Sequence, residues 1–125
     1  MKLVLFVTFR NSKLAGTIKN YLPKNYSLLE REYASALRLI KKIPAGIVLV
    51  DISSNNALPW VENALRVRPD LTYLAVGEHE QAVLSENYFF DFIPLPCSAG
   101  QVKKIFDKAW ERAQLSYSAQ DLQKK

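Results

Sequence analysis

Few side chains in this 125-residue chain are of a type and in a place to do chemistry. Asp51 closes the apolar run IVLVD, and a carboxylate where a buried strand runs out sits where α/β folds gather ligands. Cys97 follows Pro96 just before a helical pattern, a setting that activates a thiol. No His or second Cys accompanies it, so it reads as a small apolar loop residue. His79 lies between Glu78 and Glu80 with no nucleophile to serve. Ser53–Ser54 lacks the GxSxG context of a hydrolase. The glycines at 16, 46, 77 and 100 are too scattered to form a phosphate loop. TFRNSK, after the first strand, contains no Gly, which argues against a dinucleotide fold. One Cys excludes an internal disulfide and one His a His-rich metal site. No catalytic residue, metal set or cofactor is expected, and the chain is not read as an enzyme.

These residues are positioned by a regular alternation. Lys2–Thr8 (KLVLFVT) reads as a strand buried on both faces, and Asn11–Leu22 as a helix stopped by Pro23. Tyr26–Leu29 is a weaker strand, and Glu32–Lys42 a helix turning Ala34, Leu37, Ile40 and Ala36 inward. Strand Ile47–Asp51 is followed by helix Leu58–Val67, strand Thr72–Val76 and short helix Glu78–Glu86. Tyr88–Ile93 (YFFDFI) ends in a strand, and Ser98–Tyr117 closes with Val102, Ile105, Phe106, Ala109 and Ala113 on one stripe. Five strand–helix units imply right-handed crossovers and a doubly wound parallel sheet. The positions to read are then the carboxyl ends of the strands: Thr8–Phe9, Asp51, Gly77 and Pro94–Pro96.

Five such units, an Asp closing the third strand and the segment FIPLP after the fifth resemble the receiver domain of two-component response regulators over residues 2 to about 115. The resemblance implies a flavodoxin-like (βα)5 fold of strand order 2-1-3-4-5. In that family an acidic pair ends the first strand and binds Mg²⁺. The Asp ending the third strand accepts a phosphoryl group, a Thr or Ser ends the fourth, and a Lys precedes the Pro after the fifth. On this sequence the phosphoacceptor position is Asp51, but the acidic pair falls on Thr8 and Phe9, the hydroxyl on Gly77 and the Lys on Leu95. The aromatic switch position keeps Phe92. Phosphoryl transfer to a carboxylate needs a hard cation to neutralise converging anionic oxygens, and one carboxylate beside a hydroxyl and a phenyl ring is a poor Mg²⁺ site. Asp51 is therefore expected to be vestigial or structural, accepting amides of the Ser53–Asn56 loop or pairing with Arg10.

The cluster Tyr88, Phe89, Phe90 and Phe92 is richer in aromatics than one buried strand needs. In receivers the fourth helix, fifth strand and fifth helix form the face used by dimers and partners. Tyr88, Phe89, Phe92 and, on the last helix, Trp110 are the interface candidates; the alternative puts Phe90 and Phe92 in the core. Positions 116–125 continue the helix without Gly or Pro, as a linker to an effector or a frayed tail, leaving 1–115 as the domain.

The net charge of +5 is segregated, with +7 in residues 1–42, −5 in 43–99 and +3 in 100–125. The resemblance puts the first and last helices on one face, so Lys13, Lys19, Lys103, Lys104, Lys108 and Arg112 are expected to oppose Glu62, Glu78, Glu80 and Glu86 across the sheet, with Lys41 and Lys42 on the second helix blurring the separation. A bipolar surface of that kind suits docking. The apolar stretch Leu3–Val7 is too short for a signal peptide and no small-residue cleavage site follows it, and the uncharged run Ile43–Val50, with its Pro and Gly, is too short to span a bilayer, so a cytoplasmic location is expected.

The expectation is a phosphorylation-independent pseudo-receiver: a dimerisation or protein-docking module of a bacterial signalling or transcription regulator, alone or with an effector domain in a longer chain. The first alternative is a working phosphorelay receiver in which Asp51 is phosphorylated at an atypical site, with Asp91 or Glu78 as the second carboxylate. The second is nucleic-acid binding through the basic surface.

Overall fold

The computed structural model describes residues 2–8, 14–43, 46–52, 57–77, 88–94 and 98–123, with side chains throughout except at 2, 14, 15, 17 and 116–123. Phe9, Arg10, Lys13, Ser53–Asn56, the expected helix Glu78–Glu86 with His79, Leu95 and Cys97 lie outside the described residues.

Strand β1 (Lys2–Thr8) lies between β2 (Tyr26–Glu32) and β3 (Ile47–Asp51), and β4 (Thr72–Gly77) and β5 (Asp91–Pro94) complete a sheet of order β2-β1-β3-β4-β5. Every pairing is parallel, as the alternation of elements expects. All five residues of β3 and all six of β4 are buried, which is why they are continuous apolar runs. β2 reaches three residues beyond the expected Leu29, because an edge strand tolerates the charged Glu30, Arg31 and Glu32.

Successive side chains alternate between two cores. Leu5, Val7, Val48, Val50, Tyr73 and Ala75 meet α2 (Tyr33–Leu39) and α3 (Ala57–Val67), whose Ala36, Trp60, Val61 and Ala64 are buried. Val4, Phe6, Ile47, Leu49, Leu74, Val76 and Ile93 meet Ile18 of α1 (Leu14–Tyr21) and Val102, Phe106 and Ala109 of the closing helix α4 (Ala99–Gln123). The expected stripe on α4 is therefore observed. Ala36 is buried on α2, Leu37 is half-buried against the same core and Ile40 is buried just past the helix end, whereas Ala34 is exposed; the helix is shorter than the sequence pattern implies and starts only after Glu32.

α1 and α4 do share one face. Lys19, Lys103, Lys104, Lys108 and Arg112 are exposed on that face and Glu62 on the other, but Arg38, Lys41, Lys42 and Arg66 are exposed beside Glu62 and blur the separation, while Glu78, Glu80 and Glu86 lie outside the described residues. Gly46 introduces β3 at φ 148°, and a Cβ there would meet the Leu3 carbonyl oxygen at 3.3 Å, so only glycine fits this close approach. Among the described residues no helix is long and apolar enough to cross a membrane.

Candidate functional site

The β1–β3 register runs from Val4 opposite Ile47 to Val7 opposite Val50, and one further step sets Thr8 beside Asp51. Both side chains then point to the α1–α4 face, where the Thr8 hydroxyl donates a 3.0 Å hydrogen bond to Asp51 Oδ2. The pair is sealed: Thr8 is 2% exposed and Asp51 1%. A carboxylate withdrawn this far from water needs donors, and the hydroxyl supplies one of them.

The exit of β3 is also held through its backbone. The Tyr33 hydroxyl donates to the Asp51 carbonyl oxygen at 2.9 Å, while the Tyr33 carbonyl accepts from Trp60 Nε1 at 2.7 Å. Their rings lie 6.3 Å apart, so the start of α2, the first turn of α3 and the end of β3 form one connected unit. The Ile52 amide donates to the Val76 carbonyl at 3.1 Å, carrying the ladder past Asp51. The sequence does not single out Tyr33 or Trp60. Their spacing reads only as helix packing, and no pattern reveals a tyrosine aimed at a strand end.

The donors present do not suit Mg²⁺, the ion used at this place in receiver domains. The neighbour of Asp51 is a hydroxyl that already uses its proton on the carboxylate, and Phe9 brings no oxygen ligand in its side chain. Among the described residues no three His, Cys, Asp or Glu converge. Asp91, one candidate for the second carboxylate, is misplaced. It pairs with Leu74, two residues before the Val76 that faces Asp51, is exposed, and binds the Phe92 amide at 2.7 Å. A strand that starts at residue 91 puts that side chain at the wrong end of the sheet. Glu78, Arg10 and Leu95 lie outside the described residues. Gly77 is buried at the end of β4 against Pro94 and offers no hydroxyl.

The aromatic candidates divide. Tyr88, Phe89 and Phe92 are half-buried against the α2–α3 core, and the Tyr88 hydroxyl donates to Glu62 Oε1 at 2.8 Å, which pushes its pKa up. Trp110 does not join them. It packs on the opposite core, edge-on to Tyr26 at 6.3 Å. Four residues past Phe106, it falls about 40° round the helix, on the shoulder toward β2, away from β5. Tyr26, on that same side, donates to Asp107 at 3.2 Å, and burial together with this bond raises its pKa. Phe90, expected in the core by one reading, is 38% exposed, and the Arg112 guanidinium stands 5.1 Å from its ring centre. With Leu115, 67% exposed, these residues make a mixed apolar and cationic surface along β5 and α4.

No protein-family model and no curated protein matches the sequence. Solved structures do match the fold. A chain described as adenylate cyclase from Rhodopirellula baltica superposes with a TM-score of 0.80 at 21% identity, over 99% of this chain and 98% of that one. NtrX from Brucella abortus, in complex with ADP, gives 0.80 at 22% identity over 99% of this chain and 30% of its own. The beryllofluoride-activated NtrC4 receiver domain dimer gives 0.73 at 17% identity, over 90% of this chain and 99% of that one. The strand order, the two helical layers and these superpositions agree: the chain has the fold of a response-regulator receiver domain.

Proposed function

We propose that this chain is a phosphorylation-independent receiver-like module that works by docking or dimerisation within a signalling or transcription regulator. The observation that carries this reading is the buried Thr8–Asp51 hydrogen bond, which fills the place of a metal-binding carboxylate with a donor. Residues 1–115 form the domain, 116–125 serve as a C-terminal helix extension or linker to an effector or a partner, and the module acts in the cytoplasm without chemistry of its own. Self-association uses the surface along β5 and α4, with Phe90, Arg112 and Leu115 as anchors and Tyr88, Phe89 and Phe92 behind them. The NtrC4 receiver, of the same fold, forms a dimer. Arg112→Glu with Leu115→Glu should abolish any dimer seen by light scattering.

Incubation with Mg²⁺ and acetyl phosphate or beryllofluoride tests the proposal. No mass gain and no change in Trp60 emission are expected. Stoichiometric modification of Asp51 would instead establish the second reading, a working phosphoacceptor, which the retention of Asp51 at the end of β3 favours.

A further inference from the structure

Arg68 ties two helix ends together at the amino-terminal pole of the sheet, opposite Asp51. Its Nη1 donates to the carbonyls of Ile40 and Ile43, both at 2.6 Å, and its Nε and Nη2 grip the Asp70 carboxylate at 2.9 and 2.7 Å. The loop leaving α2 is thereby pinned to the loop leaving α3. The Tyr73 hydroxyl closes the arrangement from β4, donating to Arg68 O at 2.8 Å and Ala64 O at 3.2 Å. Asp70 neutralises the Arg68 charge, and the pair is largely withdrawn from solvent.

What the clamp presents is cationic. Arg38 lies in the last turn of α2, Lys41 and Lys42 in the pinned loop, and Arg66 in the last turn of α3; all four are exposed. A basic residue in a last helical turn complements the helix dipole. That account covers Arg38 and Arg66 but not Lys41 and Lys42, which follow the end of a seven-residue helix. Between Glu32 and Glu62 the sequence has one acidic residue, Asp51, at the far end of β3. Val67, 42% exposed, and the exposed Pro69 interrupt the cations with apolar surface. The clamp thus fixes like charges side by side on two segments that already share a core, which preorganises them for an anion.

We propose that this pole, Arg38, Lys41, Lys42, Arg66 and Val67, is a docking surface for an acidic protein segment that also carries an aliphatic side chain. No exposed aromatic lies on these segments to stack a base, and the cations are interrupted by the apolar Val67 and Pro69, so a peptide fits the surface better than a nucleic acid. The surface is separate from Asp51 and from the β5–α4 face, so it does not depend on the function proposed above.

Fluorescence anisotropy with the full chain and a fluorescein-labelled peptide of repeated Glu-Glu-Leu tests it, with labelled duplex DNA as the competing probe. Saturable peptide binding at low salt is expected. Lys41→Glu with Lys42→Glu should weaken it about tenfold or more, as should Arg66→Glu alone, whereas Lys104→Glu with Lys108→Glu on α4 should change it less than about twofold. All these side chains are exposed, and circular dichroism checks that each variant folds. The proposal is overturned by absence of peptide binding, by equal losses from the two double variants, or by tighter binding of the DNA.

Discussion

Replacing Thr8 by Val removes one hydroxyl and nothing else, since the two side chains have nearly the same shape. The lost interaction is a 3.0 Å hydrogen bond to a carboxylate at a place that is 2% exposed on one side and 1% on the other. A hydrogen bond to a charged group contributes about 1.5–3 kcal/mol, and no water can enter to replace it. Thr8 is not the sole interaction of Asp51, so the cost stays within that range instead of exceeding it. With a urea m-value of about 2 kcal/mol per molar, the unfolding midpoint should fall by about 1 M. Asp51→Asn, alone and combined with Thr8→Val, completes a double-mutant cycle, and a coupling of about 1 kcal/mol is expected because the bond to a neutral amide is weaker. A Thr8→Val variant within about 0.5 kcal/mol of the parent, or one equally costly in both backgrounds, would refute the assignment of Thr8 as the donor that stabilises buried Asp51.

Thr8→Asp would set a second carboxylate against Asp51. It should lower the melting temperature in metal-free buffer and recover part of the loss in millimolar Mg²⁺, a rescue absent from the parent and read by calorimetry. Gly46→Ala should cost about 1–3 kcal/mol, seen as a lower denaturation midpoint, because it combines a φ of 148° with a 3.3 Å approach to Leu3 O. Tyr73 has its pKa raised, chiefly by burial and then by Asp70. The neutral form is thus the one the fold favours. The stability from Tyr73 is complete below its unfolded pKa of about 10 and is lost as pH rises from there through the higher folded value. Tyr73→Phe should flatten that alkaline decline while lowering stability at neutral pH through loss of its two carbonyl bonds. Arg68→Lys should cost about 3 kcal/mol in chemical denaturation, since an ammonium cannot span two carbonyls and a carboxylate at once.

The sequence carries most of the fold because burial writes it in composition. IVLVD and TYLAV are apolar without interruption, which marks central strands and by itself puts Asp51 at a carboxyl end. Thr8 can be placed by the same logic, but its bond to Asp51 depends on register, which no single strand contains. β2 fades into charged residues as its burial fades, so its end leaves no mark in the pattern. Trp110 groups with the β5 aromatics by type and by helix. The angle from Phe106 decides the matter and sends it to Tyr26. Phe90 has the character of a core residue, yet it precedes the strand and meets Arg112. The basic pole is hidden for another reason: Lys41 and Lys42 have the pattern of ordinary helix-exit residues, and the Arg68 hydrogen bonds that join their loop to the end of α3 leave no mark in the sequence.

The length of α4 has a consequence for anything that grips its final turns. Among the side chains described, the last buried one is Ala113, and the ten residues to Gln123 extend about 15 Å further at 1.5 Å per residue. The azimuth of the helix where it leaves the sheet is set by Val102, Phe106 and Ala109. Insertion of one residue after Ala113 would swing a bound partner by about 100°, while insertion of seven would return it to within about 20° of where it began. The helix is in that sense a dial whose zero is fixed by the core.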